Sequence, residues 1–77
     1  MKKIIFSDHA QERLKERRIS ETEVKKVLSE PDITAPTRRR RRKRAMKTLD
    51  GRTIDIIYEE RTDMIFVITC AVLCKEG

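Results

Sequence analysis

The pair Asp50-Gly51, set between Leu49 and Arg52 and flanked on both sides by residues of alternating character, constrains this chain more than any other feature. A two-residue type I′ hairpin needs positive φ at both central positions, and Asp followed by Gly supplies it at low cost. The turn then sets the register. Thr48 faces Thr53, Ala45 faces Ile56, Arg42 faces Glu59 and Arg41 faces Glu60. From residue 40 onward the hydrophobic period is two, and a second turn at Arg61-Thr62-Asp63 leads into residues 64–73. That segment is apolar almost throughout, as expected of a central or doubly covered strand. Ile54, Ile56 and Tyr58 alternate onto the face expected to hold helices. The opposite face carries Met46, Ile57 and either Ile65 and Val67 or Phe66 and Ile68, according to the second turn's register. It is too apolar to meet water alone, so it is expected to take an antitoxin-like protein or a second copy of the chain.

Upstream of residue 31 the period is helical. Ser7 caps a helix that begins at Asp8, whose carboxylate favours the positive end of the dipole, and Ala10 and Leu14 give that helix a narrow apolar stripe. The second helix is better specified. Ser20 and Glu23 form a capping box, Ile19 and Val24 a hydrophobic staple, and Val24, Val27 and Leu28 a buried face that Pro31 stops near Glu30. Residues 31–37 read as a linker, and the β-prone Lys3-Ile4-Ile5-Phe6 can add a fourth strand. The expected fold is α+β, one domain over residues 1–77. Two N-terminal helices pack on one face of a three- to four-stranded antiparallel sheet, in the order β-α-α-β-β-β. A chain of 77 residues buries only about 60% of its unfolded surface, so a partner would help it.

The positive charge is confined to one place. Seven of the 19 basic residues fall in residues 38–44, and the other 12 face 13 acidic ones, so the whole net charge of +6 sits in one block. A contiguous cationic block in an otherwise balanced chain is the footprint of a protein that lies on a polyanion, most often an RNA or DNA backbone. Its bland alternatives are a solvated stretch or an acidic protein partner. Arg41 and Arg42 are expected to be partly used by Glu60 and Glu59 across the ladder. That leaves Arg38, Arg39, Arg40, Lys43 and Arg44 as the candidate nucleic-acid contacts.

Several function classes drop out. The apolar segments are too short to span a bilayer and no signal-peptide h-region follows Met1, so a cytoplasmic location without membrane contact is expected. Cys70 and Cys74 stand about 13 Å apart if both lie on one strand, too far to share a metal ion or a disulfide, so no metal site and no cofactor is expected. With glycine only at positions 51 and 77 there is no glycine-rich phosphate loop. Three aromatics are too few for recognition by stacked bases.

His9, Arg13 and Arg17 follow one another at helical spacing and form a ridge beside the Ala10 and Leu14 stripe. Arginine's planar fork suits a phosphate, and a neutral imidazole can move a proton near pH 7, so the three are candidate catalytic residues. Glu12 and Glu16 are also within reach of these arginines. The ridge reads equally as fold-holding ion pairs, with His9 bonding a backbone group.

Phe6-Ser7-Asp8-His9-Ala10, Arg13, Arg17, Ile19-Ser20, Val24, Val27-Leu28, Pro31-Asp32 and Leu49-Asp50-Gly51-Arg52 together resemble the small prokaryotic family called domain of unknown function 4258. The most specific part is the His-Ala-x-x-Arg-x-x-x-Arg helix followed by Ile-Ser. Arg18 stands where that family commonly has Gly, and a charged side chain takes positive φ less cheaply. The family is distantly similar to the RelE and ParE toxin superfamily. The resemblance therefore implies a two-helix, antiparallel-sheet plan, a toxin–antitoxin setting and, for RelE-type members, metal-independent RNA cleavage. Fold does not confer function. Three readings follow: a RelE/ParE-like toxin that binds and cleaves RNA, a non-catalytic nucleic-acid-binding module, and an interaction protein whose arginine-rich strand docks an acidic partner.

Overall fold

The Asp-Gly turn, the capped helix starts and the alternating strands all form. In the computed structural model, which describes residues 2–39 and 41–74, the order is β1 (Lys3–Phe6), α1 (Asp8–Arg17), α2 (Glu21–Ser29), β2 (Ile33–Pro36), β3 (Arg42–Leu49), β4 (Arg52–Glu60) and β5 (Met64–Cys74). Asp50 and Gly51 both hold positive φ, 51° and 80°, and the β3–β4 register is the one that the turn dictates from Leu49↔Arg52 to Arg42↔Glu59. The ladder ends there, because β3 starts at Arg42, so Arg41 is not paired opposite Glu60.

The architecture is α+β, but the sheet has five strands in the order β1-β5-β4-β3-β2 and is mixed. Two differences from the sequence reading account for this. The expected linker contains a strand: residues Ile33–Pro36 pair with β3 at the sheet edge, where Pro36 and its missing N–H are tolerated. The N-terminal strand does join the sheet, but parallel to β5, with Lys3 beside Met64 and Phe6 beside Val67. No tight turn links β1 to its neighbour, so nothing local imposes an antiparallel direction.

The second turn's register is settled by a bulge. Ile57 pairs with Thr69 and Tyr58 with Val67, which leaves Ile68 as the extra residue of β5. Phe66 thereby shares the uncovered face with Glu59 and Ile57, while Val67 enters the core and Tyr58 packs against it. The bulge is also where α1 starts. Ser7 Oγ donates to the carbonyl of Ile68 at 2.8 Å, its N–H reaches the carbonyl of Val67 at 3.0 Å, and its oxygen accepts from the N–H of Ala10.

Between the helices Ile19 serves both. Arg18 takes the left-handed conformation, φ 53° and ψ 49°, and the N–H of Ile19 reaches back to Leu14 while that of Arg18 reaches Lys15, a Schellman termination. Ile19 and Leu14 are both buried, as that motif favours, and Ile19 is at the same time the residue before the Ser20–Glu23 capping box of α2. Both helices lie on one face of the sheet, α1 mainly over β5 and α2 over β3 and β4. Ala10, Leu14, Val24 and Val27 there meet Ala45, Ile54, Ile56, Val67 and Cys70.

Candidate nucleic-acid interface

The basic block spans the β2–β3 loop and the first half of β3. The loop is held by a single hydroxyl: Thr37 Oγ1 lies 3.1 Å from the carbonyls of both Arg39 and Arg42 and accepts from the N–H of Arg39 at 3.2 Å. The N–H of Arg42 closes the turn onto the carbonyl of Arg39. With the backbone pinned this way, Arg38, Arg39 and Arg41 are exposed at one end of the sheet and make no ion pair among the described residues. Arg42 is half-buried opposite Glu59 and likewise has no ion pair there. Arg40 lies outside the described residues.

Lys43 and Arg44, the other two expected contacts, are engaged within the protein. Lys43 Nζ reaches Glu60 Oε1 at 3.2 Å, and Lys2 Nζ takes the other carboxylate oxygen at 2.9 Å. Hydrogen bonds from Lys2 and Lys43 hold the Glu60 carboxyl below its ordinary range. Arg44 is committed more firmly, since its Nε donates to both oxygens of Asp55 at 3.0 and 2.9 Å and its Nη2 donates to Oδ2 at 2.6 Å. Asp55 is only 6% exposed, and its hydrogen bonds stabilise the charged form of Arg44. This pair was missed because the ladder sets Arg44 opposite Ile57. Asp55 is its diagonal neighbour, and a long side chain reaches a diagonal neighbour readily. The acidic residues of this end are thus satisfied by other cations: Glu59 by Arg61 at 2.9 Å, Glu60 by Lys2 and Lys43.

The ridge on α1 is brought together only in part. Arg13 Nε donates to His9 Nε2 at 3.5 Å while Nη1 pairs with Glu16 at 3.0 Å. Arg17 is exposed, and its contribution to the fold is its carbonyl, which accepts from Arg52 Nη1 at 3.0 Å. The uncovered sheet face carries Met46 and Ile57 as read. Its most exposed large apolar side chains are Ile33 at 58% and Leu73 at 42%. On the covered face Cys70 is buried, and burial, helped by the nearby Asp55 charge, pushes its thiol up to about 11, so it stays protonated and inert.

The family model described as domain of unknown function (DUF4258) matches residues 6–71. The chain belongs to this family. The matched span contains the capped start of α1, the Arg18 corner, the capping box of α2 and the Asp-Gly hairpin. Arg18 adopts a positive φ, the conformation that glycine takes most cheaply. No curated protein and no solved structure matches the chain. No helix among the described residues is long and apolar enough to cross a membrane.

Proposed function

We propose that the protein is a nucleic-acid-binding module that grips a phosphate backbone through the β2–β3 loop. The observation that carries this reading is the division of labour inside the basic block. Lys43 and Arg44 neutralise the protein's own Glu60 and Asp55, while Arg38, Arg39 and Arg41 stand exposed on a loop pinned by Thr37. Guanidiniums at the end of a sheet with no carboxylate partner among the described residues are placed to displace counterions from a polyanion, which makes binding sequence-tolerant and salt-dependent.

The test is affinity for a 20-base-pair duplex and for single-stranded RNA across a salt series. Changing Arg38, Arg39 and Arg41 together to Ser removes three phosphate contacts. The slope of log K against log[salt] then flattens by about 2.7 on duplex DNA or about 2.1 on a single strand. Undiminished binding by that variant overturns the reading.

One observation favours a second reading, a metal-independent ribonuclease of the toxin–antitoxin kind. His9 Nε2 accepts from Arg13 Nε at 3.5 Å, on an exposed ridge that also carries Arg17. An imidazole beside one guanidinium, with a second arginine one turn further along the helix, is a minimal set for moving a proton and steadying a phosphorane charge.

A further inference from the structure

A groove of about 750 Å3 lies on the helix side of the sheet between β1 and α2, and uses none of the loop arginines. Its floor is apolar, made by Ile4, Phe6, Ile65 and Leu28. The groove exists because α1 starts late: Ser7 anchors it at the Ile68 bulge, and its other end meets Arg52 at the hairpin end of the sheet. Of the two helices, only α2 lines this groove.

Two further features say what would fill it. The rim is cationic, with Lys2, Lys3, Lys25 and Lys26 against Glu21 and Glu30. Of these lysines only Lys2 makes an ion pair among the described residues, to Glu60. The groove also opens onto an unpaired strand edge. The N–H of Ser7 points to the carbonyl of Val67 on β5, so by alternation the backbone groups of Ile4 and Phe6 point outward, away from the sheet. The Phe6 carbonyl takes Gln11 Nε2 at 3.4 Å, and no strand among the described residues lies beside the rest.

We propose that this groove and edge bind an extended acidic segment of a partner protein, which adds to the sheet as a strand alongside β1. Main-chain hydrogen bonds to Ile4 and Phe6 would supply affinity. Apolar side chains on the helix side would settle on the floor, carboxylates on the other face would meet Lys3, and a carboxylate at the end of the segment on the helix side would meet Lys25 or Lys26. The dimensions suit four to five extended residues, since β1 spans about 13 Å and α2 about 14 Å. An apolar floor offers a phosphate backbone nothing, which separates this surface from the arginine loop.

The experiment titrates the isotope-labelled full chain with a capped hexapeptide of alternating Glu and Val, and with its Lys-for-Glu counterpart. The expected result is amide shifts confined to β1 and α2, with hydrogen exchange at Ile4 and Phe6 slowed at least about tenfold. The Lys peptide and the exposed double variant Lys3→Glu/Lys25→Glu, at unchanged melting temperature, should each weaken binding by about tenfold or more. The Arg38→Ser/Arg39→Ser/Arg41→Ser protein should bind the acidic peptide as the wild type does. Absence of localised shifts at millimolar peptide overturns the proposal. So does equal binding of both peptides, or groove shifts produced by a duplex oligonucleotide instead.

Discussion

Arg52, the first residue of β4, donates from Nη2 to Oε2 of Glu23 at 2.7 Å and so ties the Asp-Gly hairpin to the corner between the helices. Its Nη1 reaches the carbonyls of Arg17 and Arg18 at 3.0 and 3.3 Å, at the end of α1 where carbonyls lack intrahelical partners. The other oxygen of Glu23 receives the N–H of Ser20, completing the capping box of α2. One guanidinium thus closes α1 and steadies the start of α2. Arg52→Ala is expected to cost about 2 kcal/mol in urea unfolding, from charge-assisted bonds lost at a partly buried site. Arg52→Lys should recover only part, because an ammonium cannot serve the carboxylate and both carbonyls with one planar fork.

The same pair sets part of the acid response. The N–H of Ser20, and then Arg52, hold the Glu23 carboxyl below its ordinary value. A carboxyl whose folded value is depressed contributes its full stability above the unfolded value and loses it as pH falls through the folded one. Stability is expected to fall between about pH 5 and pH 3, and Glu23→Gln, less stable at neutral pH, should show a shallower fall there. Equal slopes for the two proteins in urea midpoints across that window would contradict this.

Arg18 holds φ 53° without being glycine, exposed and with no side-chain ion pair among the described residues. The left-handed conformation costs an ordinary residue about 1 kcal/mol, and glycine's greater freedom when unfolded takes back part of the gain. Arg18→Gly is expected to stabilise by about 0.5 kcal/mol, a rise of a few degrees in melting temperature for a domain of this size. Arg18→Val should move the other way, since a β-branched side chain fits that conformation worst.

What could be read in advance was what short-range chemistry decides. The Ser20–Glu23 box, the Pro31 stop and the Asp50-Gly51 turn each need only residues within a few positions, and all three stand as read. β2 was hidden because its four residues, ending on a proline, carry no period to detect. The direction of β1 was hidden because its neighbour lies almost at the far end of the chain. Within the site, the charge block was legible and its internal pairing was not. Arg44 and Asp55 are diagonal across the ladder, and Lys43 meets Glu60 only where β4 ends, so reading straight across the rungs assigned the wrong arginines to the carboxylates.

The Arg44–Asp55 pair separates fold from function inside the basic block. Arg44→Met leaves a carboxylate that is 6% exposed without its cation, expected to cost about 2 kcal/mol. Arg44→Met/Asp55→Leu removes both charges from the uncovered face and should regain most of that loss. Since the guanidinium is already engaged, nucleic-acid affinity of the double variant should stay within about twofold of the wild type. A loss as large as that of Arg38→Ser would instead make Arg44 a phosphate contact.

His9 decides whether the protein does chemistry. It is the chain's single histidine, exposed on α1, with Arg13 Nε donating to it at 3.5 Å and Glu16 holding the other end of that guanidinium. If the ridge cleaves RNA, His9→Ala should abolish cleavage while leaving RNA affinity nearly unchanged, because on the proposed reading the phosphate backbone is gripped elsewhere, at Arg38, Arg39 and Arg41. Arg13→Ala should then slow turnover by about a hundredfold through lost stabilisation of the transition-state charge, and Glu16→Gln, which frees Arg13 without removing it, should slow it less. Because imidazole and guanidinium do the work in that mechanism, EDTA should leave the rate as it is. A structural ridge gives the opposite pattern. His9→Ala and Arg13→Ala would each shift the melting temperature slightly, by the fraction of a kcal/mol that an exposed helix pair is worth, and RNA would bind and remain intact.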